Sequence, residues 1–351
     1  MLRKTLLTLF TACAAVLSLV SCEQSPPAEL TAPASSPASA AGSGGGISFS
    51  GQATAVRASV LGNSANLSDT GPLPASGGAL EANLLQGQVP GVLTAVVLHA
   101  ATIGQGDRSR SEASTANVDL TVGGQHVTAS FLMARAEAVC ARNGAETSGS
   151  SDIADLTLNG QSISVSGQPN QTVLLPGGLG RIVINEQTSS PGAITVNALH
   201  VVVTGVADVI ISSAHADIVC HGQPECTGPK DFVTGGGWIT GPPSGAKGTF
   251  GVAGGIKNGG LWGHLTFIDH GSGGPKVKAT GVTAYVIVNS TTRHIEGTCE
   301  VNSQAGFTYQ VDVSDNGEPG RNDTFALKLS NGYSASGRLG GGNIQLHKPC
   351  R

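Results

Sequence analysis

Short apolar runs separated by Gly, Asn, Ser and Pro dominate the chain from Ile47 onward. "GVLTAVVLHAATI", "ANVDLTVGG", "RIVINEQ", "ITVNALHVVVTG" and "DVIISSAHADIVC" either alternate apolar with polar positions or stay apolar over strand-like lengths. Runs of this kind bounded by turn formers predict strands of a β-sandwich or a related β fold over residues 47–220. "FLMARAEAVCAR" has a helix-compatible composition, but it lies in an alternating context and reads as strand. "HGQPECTGP" has linker composition, which places a linker at 221–229 and opens a second region at 230–351. There, strands are predicted at "GTFGVAGGI", "LWGHLTFID", "KVKATGVTAYVIVN", "RHIEGTCEVN", "GFTYQVDVS", "DTFALKLS", "GYSASGRL" and "GNIQLHK". Short strands without helical period predict a smaller sandwich or a closed barrel. The fold class is all-β, with two β-rich domains.

Two internal echoes point to duplicated strand pairs. "VDLTVGGQHVTAS" (118–130) and "ADLTLNGQSISVS" (154–166) match in type at most positions, 36 residues apart. Each places Gly-Gly or Asn-Gly between alternating runs, the composition of a two-residue hairpin turn that needs positive φ. "ARAEAVC", ending at Cys140, is echoed by "AHADIVC", ending at Cys220. Matching strand ends in an exported domain predict a Cys140–Cys220 disulfide. Closing a loop of about 80 residues stabilises by roughly 4 kcal/mol in the chain-entropy model. Cys226, Cys299 and Cys350 leave an odd thiol in the second region; Cys226–Cys350 would staple its two ends, and Cys226–Cys299 is the rival pairing.

Export is read from the amino terminus. Arg3 and Lys4 precede the apolar "TLLTLFTACAAVLSLVS", a secretory signal over residues 1–21. It ends in Leu19-Val20-Ser21-Cys22, which resembles the lipobox of bacterial lipoproteins. That resemblance implies cleavage before Cys22 and acylation of its thiol and amine, so membrane lipid is the expected partner. Two or three acyl chains anchor stably where one binds only marginally. Glu23, rather than Asp, follows the cysteine, which favours the outer membrane or cell surface in two-membrane bacteria. Residues 22–46 carry Pro, Ala, Ser and Gly with almost no large apolar side chain, the composition of a disordered tether.

Composition narrows the classes further. The 351 residues suit two cores, and 51 glycines with 4% aromatic and 12% charged residues disfavour long helices. Removing residues 1–21 takes two of the 19 bases and none of the 23 acids, leaving a formal charge of −6 with no like-charged run. A nucleic-acid binder needs a basic stripe to displace counterions, so nucleic acid is not an expected partner.

"SDIADLTLNGQSISVSG", "RIVINEQTSS", "ITVNALHVVVTG" and "SSAHADIVC" together resemble the choice-of-anchor P domain, over about 170 residues. "VTGGGWI", "GHLTFIDHGSGGPKVKATGVTAY", "DNGEPGRNDTFALKLSNGYSASG" and "GGNIQLHK" resemble the post-COAP module that follows such domains. The resemblance implies display on the cell surface and no enzymatic activity.

Candidate chemistry is sparse. Asp312, Ser314, Asn316, Gly317 and Asp323 fall at positions 1, 3, 5, 6 and 12 of an EF-hand-like calcium loop. Against it, the flanks alternate as strands, Pro319 takes a usually apolar position and Asp replaces the bidentate Glu; the bland reading is a polar hairpin loop. Calcium is the one cofactor considered. His264 and His270 share a strand face about 20 Å apart, too far to ligate one metal. His215 and Asp217, roughly 7 Å apart on one face, could form a hydrogen-bonded pair. Trp238 and Trp262, beside glycines, could stack on sugars, although Trp more often packs. No nucleophile elbow, zinc helix, P-loop or Cys-x-x-Cys pair is present, and no catalytic residue is assigned.

These readings converge on a lipid-anchored, surface-displayed, non-catalytic envelope protein with a structural, adhesive or binding role. The alternatives are a secreted hydrolase using a carboxylate or His–Asp pair, and a calcium-stabilised carbohydrate-binding module. A hydrolase would require a concave pocket with convergent polar groups.

Overall fold

The alternating runs become antiparallel strands, and the described residues contain no α-helix. A computed structural model describes residues 46–220, 231–257 and 259–348. Cys22, the signal, the tether, the expected linker and both Cys226 and Cys350 lie outside them.

The chain enters as β1 (Ser48–Val60) and turns back as β2 (Asn63–Asp69). A meander of long strands follows: β3 (Gly78–Val89), β4 (Leu93–Gln105), β5 (Arg108–Val122), β6 (Gln125–Ala141) and β7 (Gly144–Ala154). Short strands β8 (Thr157–Leu158), β9 (Gln161–Ser162) and β10 (Gln171–Leu174) lead to β11 (Gly180–Ser190), β12 (Ala193–Val203) and β13 (Ala207–Val219). One sheet runs β10-β11-β12-β13-β1-β2; the other, of seven strands, runs β3-β4-β5-β6-β8-β9 with β7 also paired to β6. Their inner faces form one core, rich in fully buried alanines such as Ala55, Ala134 and Ala214 beside Leu132, Ile184 and Ile211. Both expected hairpin turns form at positive φ, Gly123-Gly124 between β5 and β6 and Asn159-Gly160 between β8 and β9. "FLMARAEAVC" is part of β6, and Cys140 is bonded to Cys220, tying the end of β6 to the residue after β13.

The second region is a closed eight-stranded barrel: β14 (Phe232–Ile239), β15 (Gly248–Lys257), β16 (Gly260–Asp269), β17 (Lys276–Ile287), β18 (Thr292–Val301), β19 (Gln304–Ser314), β20 (Thr324–Leu329) and β21 (Ser334–His347). Two details differ from the sequence reading. "GYSASGRL" and "GNIQLHK" are not separate strands but lie along the single β21, and the strand that closes the barrel is "FVTGGGWI", whose three glycines give no periodic signal. Cys299 is a buried free thiol, and Cys226 and Cys350, weighed as partners in the second region, lie outside the described residues.

Stacked rings of Phe250, Phe325 and Phe267 fill the barrel core. One end is plugged by Arg293, a residue on the interior-facing register of β18, only 2% exposed at its side chain. Its Nε and Nη2 each donate to Asp231 at 2.5 Å, and Tyr285 donates its hydroxyl to the same carboxylate at 2.6 Å. The Asp231 hydrogen bond raises the Arg293 pKa, holding its charge in a site that burial would otherwise disfavour. Breaking a buried pair strands the surviving charge, which costs roughly 3–5 kcal/mol. Asp231→Ala should therefore lose about that much stability in urea unfolding; a loss under about 1 kcal/mol would mean that Arg293 finds water instead.

Candidate functional site

The barrel docks on the outer face of the seven-stranded sheet, and Gly45–Arg351 gather into one compact unit. The register fixes what that face presents. One cross-strand row reads Ile103–Arg110–Glu137–Ser148; the next reads Glu81–Ala101–Glu112–Arg135–Ser150. Arg110 and Glu112 on β5 therefore stand opposite Glu137 and Arg135 on β6, a two-by-two checkerboard of opposite charges. Opposite charges across a strand pair stabilise, and their side chains lie within reach of one another.

Two glycines let the barrel come close. A Cβ at Gly236 of β14 would meet Ser114 Oγ at 2.2 Å, and one at Gly251 of β15 would meet His99 Cβ at 2.9 Å. Apolar clusters flank this contact. Trp238 packs with Val97, Ala116, Phe131, Met133 and Ile268, while Phe232 packs with Ala79, Ala101, Ile103 and Trp262. Both tryptophans weighed for sugar stacking thus belong to the seam, with Lys247 over one ring at 4.4 Å and Lys257 near the other at 5.9 Å.

Between checkerboard and barrel lies an open cleft of about 280 Å³. Asn343, Gln345 and His347, alternate residues of β21, form one wall, and Glu318 with Pro319 of the 315–323 loop forms another. Glu137 accepts from Arg108 at 2.8 Å and from Arg110 at 2.9–3.0 Å. Glu318 accepts from Asn343 Nδ2 at 3.1 Å. Gln345, in the amide orientation that satisfies both neighbours, donates to Glu318 at 2.7 Å and accepts from Arg110 Nη1 at 3.3 Å. Arg135 donates its Nε to Ser150 at 3.1 Å and sets Nη1 3.7 Å from Glu318; Nη2 has no partner among the described residues. Burial, with the Arg110 charge, pushes His347 well below the ordinary imidazole range, so it stands neutral, with Nε2 against Thr234 Oγ1 at 3.0 Å.

Behind the cleft wall four groups form a buried chain. Glu112 Oε1 faces His99 Nε2 at 3.3 Å, His99 Nδ1 faces His264 Nε2 at 3.1 Å, and His264 Nδ1 is paired with Glu81. His99 is wholly buried, and burial pushes His264 down to about 3. His264 comes from β16 of the barrel and the other three from the sheet.

The remaining sequence candidates scatter. Asp312 faces His294 at 2.7 Å, Ser314 faces Thr292 at 2.9 Å, and Asp323 turns inward to accept from the amides of Asn316 and Ile344, both at 2.8 Å. The EF-hand-like set is thus divided among separate partners, with Asn316-Gly317 in a loop between strands β19 and β20. No group of three or more His, Cys, Asp or Glu side chains placed to hold a metal occurs among the described residues. His215 pairs with Thr195 at 2.9 Å and forms no bond to Asp217. His270 pairs with Thr249 and Asn117, and Asp269 with Ser244 and Tyr333.

The checkerboard went unread in the sequence although its signal was there. "RSRSEA" (108–113) and "ARAEA" (134–138) place charges at period two, in a chain with only 12% charged residues. On strands such charges share one face. The histidine contact, by contrast, joins residues 165 apart and has no local signature.

No family model and no curated protein matches the chain. Among solved structures, kievitone hydratase from Nectria haematococca is similar over 87% of this chain and 89% of its own, at 9% identity and a TM-score of 0.20. A likeness at that score carries no argument about fold or function.

The 315–323 loop offers a test of how the cleft is held. Asp323 is fully buried, and burial raises its pKa from 3.8 to about 7 against the pull of its two amide bonds, with Asp315 and Glu318 adding to the rise. A carboxyl whose folded value exceeds its unfolded value contributes stability that is complete below about 4 and is lost as pH rises through about 7. The melting temperature should accordingly fall between about pH 4 and 7, and Asp323→Asn should flatten that slope while lowering stability overall. An unchanged slope in the variant would exclude Asp323 as its source.

Proposed function

We propose that this chain is an exported, lipid-anchored, non-catalytic binding protein of the bacterial cell envelope, a choice-of-anchor P domain followed by a post-COAP module, and that the seam cleft seats its ligand. The anchor is Cys22, supported by the lipobox-like Leu19-Val20-Ser21-Cys22 and the Pro/Ala/Ser/Gly stretch behind it. The outer membrane or cell surface is the favoured location. One observation carries the binding reading: the cleft alternates guanidinium donors with carboxylate and amide acceptors over apolar ground formed by Ile103 and Pro319. Such a surface suits a small hydroxyl-rich molecule of single-sugar size. Each hydroxyl both donates and accepts, and vicinal hydroxyls match alternating donors and acceptors.

The cleft also meets the requirement set for a hydrolase, a concave pocket with convergent polar groups. The binding experiment separates the two readings. Titration of the purified protein with neutral monosaccharides, followed by ligand-observed NMR, should show saturable binding that Arg135→Ala weakens at least tenfold. Cleavage of the corresponding p-nitrophenyl glycosides, added in the same buffer, would move the assignment to the hydrolase. Absence of binding across neutral and acidic monosaccharides would remove the cleft as a ligand seat.

Anchoring has its own test. Cys22→Ala should release the protein from the membrane fraction into the soluble one, and mass spectrometry of the wild-type amino terminus should find acyl chains on Cys22. A variant that stays membrane-bound would exclude Cys22 as the anchor.

A further inference from the structure

The Glu81–His264–His99–Glu112 chain counts its own protons. With both carboxyls ionised and both imidazoles neutral it holds two, one per ring. Its three contacts need three. In every two-proton arrangement at least one contact sets two lone pairs against each other: His99 Nε2 against Glu112, His99 Nδ1 against His264 Nε2, or His264 Nδ1 against Glu81. A buried acceptor left without a donor is costly, so the third contact calls for a third proton.

We infer that the seam is a proton-binding site whose third proton resides between His99 and Glu112 in the wall of the cleft, and that an acidic sugar, carrying hydroxyls and one carboxylate, binds there together with that proton. The ligand half rests on the cleft being the ligand seat. The placement follows from chemistry: burial keeps His264 neutral, donating through Nδ1 to Glu81 and accepting at Nε2 from His99, which leaves the last proton to His99 and Glu112. The charges on the surrounding elements are Arg110 on β5, Arg135 and Glu137 on β6, Lys257 of β15, which donates to the Ala79 carbonyl, and Glu318; His347 of β21 is neutral. Arg108, Arg110 and Arg135 balance Asp107, Glu137 and Glu318, and Lys257 balances Glu81. The cleft is therefore neutral when the third proton is present and gains a negative charge when it leaves. Loss of the proton repels a carboxylate, while the unpartnered Arg135 Nη2 offers that carboxylate a donor.

Glu112→Gln is the decisive variant, because its amide can donate to His99 Nε2 and complete the chain with two protons. Ring 15N spectra of the wild-type protein between pH 5 and 9 should show one His99 transition that Glu112→Gln abolishes. A His99 ring that stays unchanged across that range, or a transition that survives in the variant, would overturn the proton site. The His99–Glu112 contact is complete below the transition and lacks its donor above it. Glu112→Gln should therefore melt higher than wild type at pH 9, whereas Asp323→Asn leaves this component in place. The ligand half is read by calorimetry one pH unit above the transition, with D-glucuronate and D-glucose in phosphate and Tris buffers. Glucuronate should bind with uptake of close to one proton, glucose with none, and Glu112→Gln should remove the uptake. Glucuronate binding without proton uptake overturns the coupling and leaves the ligand seat intact. Failure of both sugars to bind overturns the seat and the coupling together, while the spectra still decide the proton.

Discussion

Ionisable side chains on the outer face of the seven-stranded sheet must be covered without being stranded, and the docking of the barrel answers to that demand. A charge removed from water without a partner is expensive, so Arg110, Glu112, Arg135 and Glu137 alternate in sign across β5 and β6. What the sheet cannot satisfy internally, the barrel supplies: an amide from Gln345, a carboxylate from Glu318 and an imidazole from His264. Glycine at 236 and 251 is a consequence of the same demand, because side chains there would hold the barrel off His99 and Ser114. The apolar clusters around Trp238 and Phe232 then exclude water on both sides of the polar strip. Hydrophobic burial gives the seam its extent, and the polar strip gives it a register, since sliding either part would separate the paired groups.

The same logic separates the two interiors. The sandwich core relies on alanine and short β-branched side chains, which let its two sheets lie close and tolerate the many crossings of β12 and β13 over β6. The barrel instead encloses a stack of phenylalanines and closes one end with the Arg293–Asp231–Tyr285 plug. Asp231 immediately precedes β14, so the plug fastens the strand that closes the barrel at its start.

Much of the architecture was legible because strands advertise themselves locally. Alternation in β4, β5, β12 and β13, turn pairs such as Gly123-Gly124 and Asn159-Gly160, and the repeated Ala-x-Ala-x-x-Val-Cys ends each need only a short window of sequence. β14 escaped notice because glycine has no side chain to mark a face, and β21 was divided because Gly340, Gly341 and Gly342 interrupt its pattern without breaking the strand. The site was harder for a different reason. Arg110, Glu112, Arg135 and Glu137 carried a period-two signal that could have been read as one charged face, but which barrel residues meet that face depends on closure and docking. Asp323 shows the limit plainly: as a sequence position it resembles a calcium ligand, yet its carboxyl is consumed by two backbone amides that only the fold brings to it.

The disulfide has a mechanical side. The chain enters the sandwich at Ser48 and leaves β13 at Cys220, and Ser48 is paired with Val219 at the same end of the sheet. Tension between the amino-terminal side and the barrel would therefore pull on two neighbouring strand ends and open their ladder like a zipper, the direction in which paired strands resist least. Because Cys220 is bonded to Cys140, β13 cannot peel under that load, and the force passes into β6 at the centre of the opposite sheet. The bond makes β1 the yielding element, so under such a load the ladder would open at the entry strand first, while β13 stays fastened to β6.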